Sequence, residues 1–140
     1  MMGSFSFEIP KALEEQLQKQ LKDFDKIAPK MLEEAAPIVE KKVKEKAPVK
    51  TGQLQKSVKI NKPKKSKSGA WISAITFNGK NKESLKNGEE RETPNATVAA
   101  VLEFGASDRS ARPFVRPAVA ECKNEVVEKM QEVFNREASR

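Results

Sequence analysis

An α+β fold, with a long N-terminal helix and a C-terminal helix packed on one face of a small antiparallel sheet, is predicted by three observations in the 140-residue sequence. Apolar residues recur every three or four positions over residues 10–47 and again over 117–139, the period drops to two around 54–60 and 71–77, and Pro/Gly-punctuated segments divide one pattern from the next. The first period is that of a helix with one apolar face, and the second that of a half-buried strand.

From Pro10 onward, Leu13, Leu17, Leu21, Phe24, Ala28, Met31, Ala35, Ile38, Val39 and Val43 make one apolar stripe. Pro10 suits a first helical position, whereas Pro29 and Pro37 each remove a backbone donor and clash with the preceding turn, so a kink or break is expected near Pro29. The stripe ends at Ala47-Pro48, and Thr51-Gly52 supplies the turn that redirects the chain. Leu54, Val58 and Ile60 then alternate with polar residues, as do Trp71, Ile75 and Phe77 with Ser73 and Thr76, which predicts two antiparallel strands. The segment Asn61–Gly69 between them has no apolar side chain and is expected to be a solvated, mobile hairpin tip. Asn78–Glu92 is again polar and is expected to be a second long, poorly ordered loop.

Thr93-Pro94 reads as an N-cap followed by Pro at the first helical position, with Gly105 as the C-terminal stop and Val98, Val101 and Leu102 on one face. For a third strand, residues 97–104 compete with residues 108–115. The final helix runs from Pro117 to about Ser139, with Val119, Cys122, Val126, Met130, Val133 and Phe134 as its apolar face.

Length points to a single domain over residues 1–140, with residues 1–9 flexible. The composition is 37% hydrophobic, 34% charged and 6% aromatic. That is polar for a compact globule, and it fits an elongated subunit that completes its burial by oligomerising better than a self-sufficient enzyme. The net charge of +7 is concentrated in the middle, because residues 51–88 carry nine basic side chains and one acidic one. A local basic block of this kind suits nucleic acid, a membrane surface or an acidic partner. Cys122 is the only cysteine, so no internal disulfide forms, and a cytosolic setting is expected. No apolar stretch approaches the ~20 residues of a membrane-spanning helix.

Catalysis finds few candidates. The chain has no histidine and no tyrosine, which removes the commonest general base and metal ligand. Cys122 lies on an apolar helix face without a histidine partner and reads as a small buried hydrophobe. The pairs Glu14-Glu15, Glu33-Glu34 and Glu89-Glu90 read as solvated surface, and the scattered glycines form no phosphate-cradling loop. No catalytic residue, metal ligand or cofactor is assigned. Lys59, Lys62, Lys64, Lys65 and Lys67 offer phosphate attraction without the arginine forks or aromatics that base readout needs; the plainer reading is a loop that keeps strand edges soluble. Arg109, Arg112 and Arg116 stand beside Phe114 on a backbone stiffened by Pro113 and Pro117, and Glu103 is a candidate partner for them, within the subunit or across an interface.

At these residues the chain resembles the small neck proteins of tailed bacteriophages, also called minor head-tail joining or tail-completion proteins. The shared segments are Ala47, Pro48, Thr51, Gly52, Leu54 and Ser57; then Glu103, Phe104 and Gly105; then Arg112, Pro113, Phe114, Arg116, Pro117 and Ala118. The chain departs from the pattern at Ala99-Ala100-Val101, where similar proteins often carry an aromatic, and the lysine-rich tip is not a shared feature. The resemblance implies a non-enzymatic structural protein of a phage or prophage, assembled in the bacterial cytoplasm and located in the virion neck. It further implies a homo-oligomeric ring, such as a hexamer, between the head connector and the tail-terminator or tail-tube proteins. Phage DNA would pass through its lumen without sequence-specific contacts, and no membrane is involved. Thr51, Gly52, Leu54, Glu103, Phe104, Gly105, Arg112, Pro113, Phe114, Arg116 and Pro117 are then expected to shape the subunit contacts, with Lys62, Lys64, Lys65 and Lys67 facing the lumen or a partner. The alternative is a small basic protein that binds DNA or RNA through the Lys59–Lys67 loop.

Overall fold

The computed structural model describes residues 5–20, 24–48, 53–84 and 87–139. Its elements run β1 (Phe5–Glu8), α1 (Lys11–Gln20), α2 (Phe24–Lys46), α3 (Gln53–Ser57), β2 (Val58–Ile60), β3 (Lys64–Lys65), β4 (Trp71–Phe77), β5 (Lys80–Ser84), β6 (Glu90–Pro94), α4 (Asn95–Phe104), α5 (Val115–Glu121) and α6 (Lys123–Ala138). The α+β class is the one expected. Leu21, Thr51 and Gly52, which the sequence singles out, lie outside the described residues.

Helix α2 is the organising element. It buries Phe24, Ala28, Met31, Ala35, Val39 and Val43 of the stripe read from the sequence, together with Ile27 and Leu32, while Ile38 is only half-buried. One side of α2 meets β2 and β4, and its longest seam is with α6, which contributes Val126, Met130, Val133 and Phe134. Phe24 and Phe134 touch across that seam with ring centroids 6.5 Å apart. Glu34 pairs with Arg136 and Lys30 with Glu137 along its margin. These exposed pairs add little beside the apolar contact, where each fully buried Met or Val contributes about 1.5–3 kcal/mol.

Of the kink or break expected near Pro29, no break occurs: α2 is continuous through both Pro29 and Pro37. A helix-interior proline costs about 3 kcal/mol. Here Pro29 is half-buried and Pro37 exposed, so neither ring occupies the core seam, and the burial of eight apolar side chains along α2 offsets the lost backbone bonds.

The main sheet has the order β1-β4-β2, all antiparallel, with β3 beside β4 on the β2 side. Its third strand is neither of the two segments expected to compete for that place. Residues 97–104 lie in α4, and the edge strand is Phe5–Glu8, from a terminus expected to be flexible. Phe7 is buried and Phe5 half-buried, so the terminus is held by the same alternation that marks the other strands. Leu54, expected at the start of a strand, is instead buried in the short helix α3. Ser73 shares strand parity with Ile75 and Phe77 and is fully buried with them, rather than facing solvent.

Both polar loops contain strands. In the lysine-rich tip, Lys64 and Lys65 pair with Ile72 and Trp71, and the Lys65 ammonium and the Trp71 indole both donate to Asp25 in the first turn of α2, at 3.1 and 2.9 Å. Residues 80–94 form the β5–β6 hairpin, registered from Lys80 against Pro94 to Ser84 against Glu90. A backbone ladder needs no apolar face, which is why hydropathy alone missed this arm. Asn95 fixes its base: its backbone N–H donates to the Gly79 carbonyl at 3.0 Å and its side-chain amide to the Asn78 carbonyl at 2.8 Å.

Candidate functional site

Helix α4 begins at Asn95 with Pro94 in the N-cap place, so Thr93 is not the cap and Pro94 not the first helical residue. Its buried face is Asn95, Ala99, Ala100 and Glu103, while Val98, Val101 and Leu102 are half-exposed. Small residues at positions 99 and 100 let α4 lie close to α3 and β4. Glu103 then enters the interior as a carboxylate with no exposed surface.

Three backbone N–H groups and one guanidinium answer that carboxylate. The N–H groups of Phe114 and Val115 donate to Glu103 Oε1, each at 2.8 Å, and that of Arg116 to Oε2 at 3.0 Å. Arg116 Nε adds a charge-assisted bond to Oε2 at 2.8 Å, and its Nη2 donates to the Glu103 carbonyl at 3.1 Å. Phe114 is the N-cap of α5, so these are the donors that the start of a helix leaves without intrahelical partners. The next residue, Pro117, has no N–H. Every free donor at this terminus is thereby accounted for, and the anion sits where the helix dipole favours it.

The end of α4 is closed reciprocally. Gly105 takes φ 80°, and a Cβ there would meet the Ala111 nitrogen at 3.0 Å and the Arg109 carbonyl at 3.1 Å, so this return of the chain requires glycine. Arg112 N–H donates to the Leu102 carbonyl at 2.6 Å, while Arg116 serves the Glu103 carbonyl. Two otherwise orphaned carbonyls of α4 are satisfied in this way. Burial pushes the Glu103 carboxyl upward, but the Arg116 bond and the three backbone donors outweigh it and hold the group below the usual carboxylate range.

Phe104 projects outward from this corner. It is 50% exposed, the one large hydrophobic so exposed among the described residues. It is nonetheless fixed, with its ring stacked on Phe5 at 5.7 Å and the Arg116 guanidinium 5.4 Å from its centroid. Phe114 faces inward and meets Phe77 edge-on at 5.7 Å.

The residues singled out by sequence therefore divide. Glu103, Phe104, Gly105, Phe114 and Arg116 form one cluster, with Leu54 and Phe114 buried and Arg112, Pro113, Arg116 and Pro117 exposed. Glu103 takes Arg116 rather than Arg112, and the pair lies within one subunit. Sequence reasoning missed Phe5, although the alternation of Phe5 and Phe7 was the available signal. It also missed Asp25, whose role depends on two residues more than 35 positions away. Burial pushes the Cys122 thiol up, as expected of a packed, unreactive cysteine. Among the described residues no group of His, Cys, Asp or Glu has metal-binding geometry, and no helix is long and apolar enough to cross a membrane.

The fold and site describe an α+β chain in which a buried carboxylate sets a surface corner beside an exposed aromatic. The chain belongs to the HK97-gp10-like family, described as "Bacteriophage HK97-gp10, putative tail-component", whose profile matches residues 11–105. The match takes in the Glu103-Phe104-Gly105 turn and ends before the Arg112–Pro117 segment that locks it. No curated protein and no solved structure matches the chain. A phage tail component with a structural role is thus the family's function.

Proposed function

We propose that this protein is a subunit of the phage or prophage neck that assembles into a homo-oligomeric ring during head-tail joining, between the head connector and the tail-terminator or tail-tube proteins. The observation that carries the reading is Phe104: an aromatic half in solvent, held in one orientation by Phe5 and Arg116, is a preorganised anchor for a neighbouring subunit. The buried Glu103 and Phe114 and the half-buried Gly105 position that anchor, and the exposed Arg112, Pro113, Arg116 and Pro117 complete the contact surface. Thr51 and Gly52, which lie outside the described residues, are assigned a part in subunit contacts on the strength of the sequence motif alone. The reading involves no catalysis and no cofactor, and the DNA passes without sequence-specific contact.

Deleting the gene from the phage tests this. Full heads and finished tails that fail to join are expected, with ring-shaped density in micrographs of the purified protein or of isolated necks. Normal yields of infectious particles without the protein would refute it.

Lys62, Lys64 and Lys67 support a second reading, because they are exposed and form no ion pair among the described residues. In that reading the tip binds nucleic acid directly. Replacing the three lysines then abolishes a binding that also falls steeply with salt. No retention of DNA or RNA by the wild-type protein at physiological salt would dismiss it.

A further inference from the structure

Arg91 on β6 and Arg109 and Arg112 after α4 line one open groove of about 690 Å³, whose apolar floor is Val98, Val101 and Leu102 of α4. Strand alternation turns Arg91 and Thr93 to the groove and Glu90 and Glu92 away from it. All three arginines are exposed, and none makes an ion pair among the described residues; Arg116 and Arg136 are the arginines that do. Asp108 is the single acidic residue in the lining. Three unanswered guanidiniums around an apolar floor make a concentrated positive field that suits carboxylates borne on a protein surface. A nucleic-acid backbone would leave the floor uncovered.

The same chain carries the complement. Glu125, Glu128 and Glu132, spaced three and four apart, form an exposed acidic stripe on α6. Lys129 pairs with Glu132 at 3.6 Å, whereas Glu125 and Glu128 have no ion-pair partner among the described residues. Groove and stripe belong to different packing environments: α4 lies against α3, β4 and β6, and α6 lies against α2 and α5. Within one subunit neither α4 nor β6 packs extensively on α6.

We propose that the Arg91–Arg109–Arg112 groove receives the Glu125–Glu128–Glu132 face of α6 from a second copy of this chain. The contact joins two different surfaces, head to tail, and such an interface closes into a ring when its rotation permits. The proposal rests on the ring reading given above and adds its interface. The methylene stems of the glutamates cover the apolar floor while their carboxylates meet the arginines.

Charge reversal on the full chain tests it, read by native mass spectrometry and electron microscopy. Wild-type protein is expected to form rings. Arg109→Glu with Arg112→Glu, and separately Glu125→Arg with Glu128→Arg, should each leave folded monomers at the same concentration, with the helical circular-dichroism spectrum and a cooperative melt retained. Joining all four changes in one chain should restore rings, and mixing the two reversed proteins should give assemblies containing both. Rings that survive either reversal, or a four-fold variant that stays monomeric, overturn this interface while the ring reading stands. Loss of DNA retention with rings intact would make the groove a phosphate site and also overturn it. A wild-type chain that forms no ring, alone or in isolated necks, removes the ring reading and this inference together.

Discussion

The corner between α4 and α5 and the lysine-rich tip between β2 and β4 look alike in sequence: both are charged, proline-containing and bounded by regular structure. In the fold they behave oppositely. At the corner a fully buried carboxylate draws in three backbone donors and a guanidinium, which satisfies the start of α5, while the Arg112 N–H and the Arg116 guanidinium close the end of α4. At the tip Lys65 alone is answered among the described residues, by an Asp25 carboxylate that is itself 59% exposed, and the neighbouring lysines are exposed to water. Burial decides which charges build the molecule. Charge left exposed and unpaired is what remains for partners.

The sharpest way to break this comparison is Glu103→Ala. Removing the carboxylate strands the α5 donors, and a loss of about 3–5 kcal/mol is expected in denaturant unfolding. A loss below 1 kcal/mol would mean that the corner is no more structural than the tip. Gly105→Ala should cost about 2–3 kcal/mol, since the new side chain meets both a positive φ and two backbone atoms.

Acid sharpens the contrast further. The Glu103 pKa is lowered in the folded state, so its stabilisation is present above the unfolded value of about 4.3 and is lost as pH falls through the folded value. The stability gap between wild type and Glu103→Ala should therefore narrow progressively below about pH 4.3. A gap constant from pH 7 to pH 2 would contradict the assignment. Asp25 is also held low, by the Trp71 indole first and by Lys65 second, but its exposure screens the effect. Asp25→Ala is expected to cost about 0.5–1 kcal/mol. Smallest of all, replacing Lys62, Lys64 and Lys67 with Ala should move stability by less than about 0.5 kcal/mol, as checked by melting temperature.

The two long helical stripes and the location of the corner were legible in the sequence, because helical periodicity and punctuation are local properties. The final helix, however, expected to run unbroken from Pro117 to about Ser139, is divided at Cys122 into α5 and α6. The partner of Glu103 was not legible. Arg112 is nearer in sequence, yet the turn at Gly105 and the extended Arg112-Pro113 segment carry Arg116, on the first turn of α5, back to the carboxylate. Prolines at positions 29 and 37 suggested a break because local propensity opposes helix there, and the seam with α6 overrides it. The β5–β6 hairpin was invisible to hydropathy because backbone pairing, not an apolar face, defines it. Ser73 was misplaced by treating a polar residue as outward-facing when its parity with Ile75 and Phe77 already placed it inside. Its hydroxyl is buried without a hydrogen-bond partner among the described residues.

The central claim is that the buried latch exists to present Phe104, so the direct measurement is the oligomeric state and melting of Phe104→Ala beside wild type. Loss of the stacking on Phe5 and of the Arg116 contact should cost only about 1 kcal/mol. The account predicts a folded monomer under conditions in which the wild type assembles into the proposed ring. Rings of normal size and stability from Phe104→Ala would contradict it.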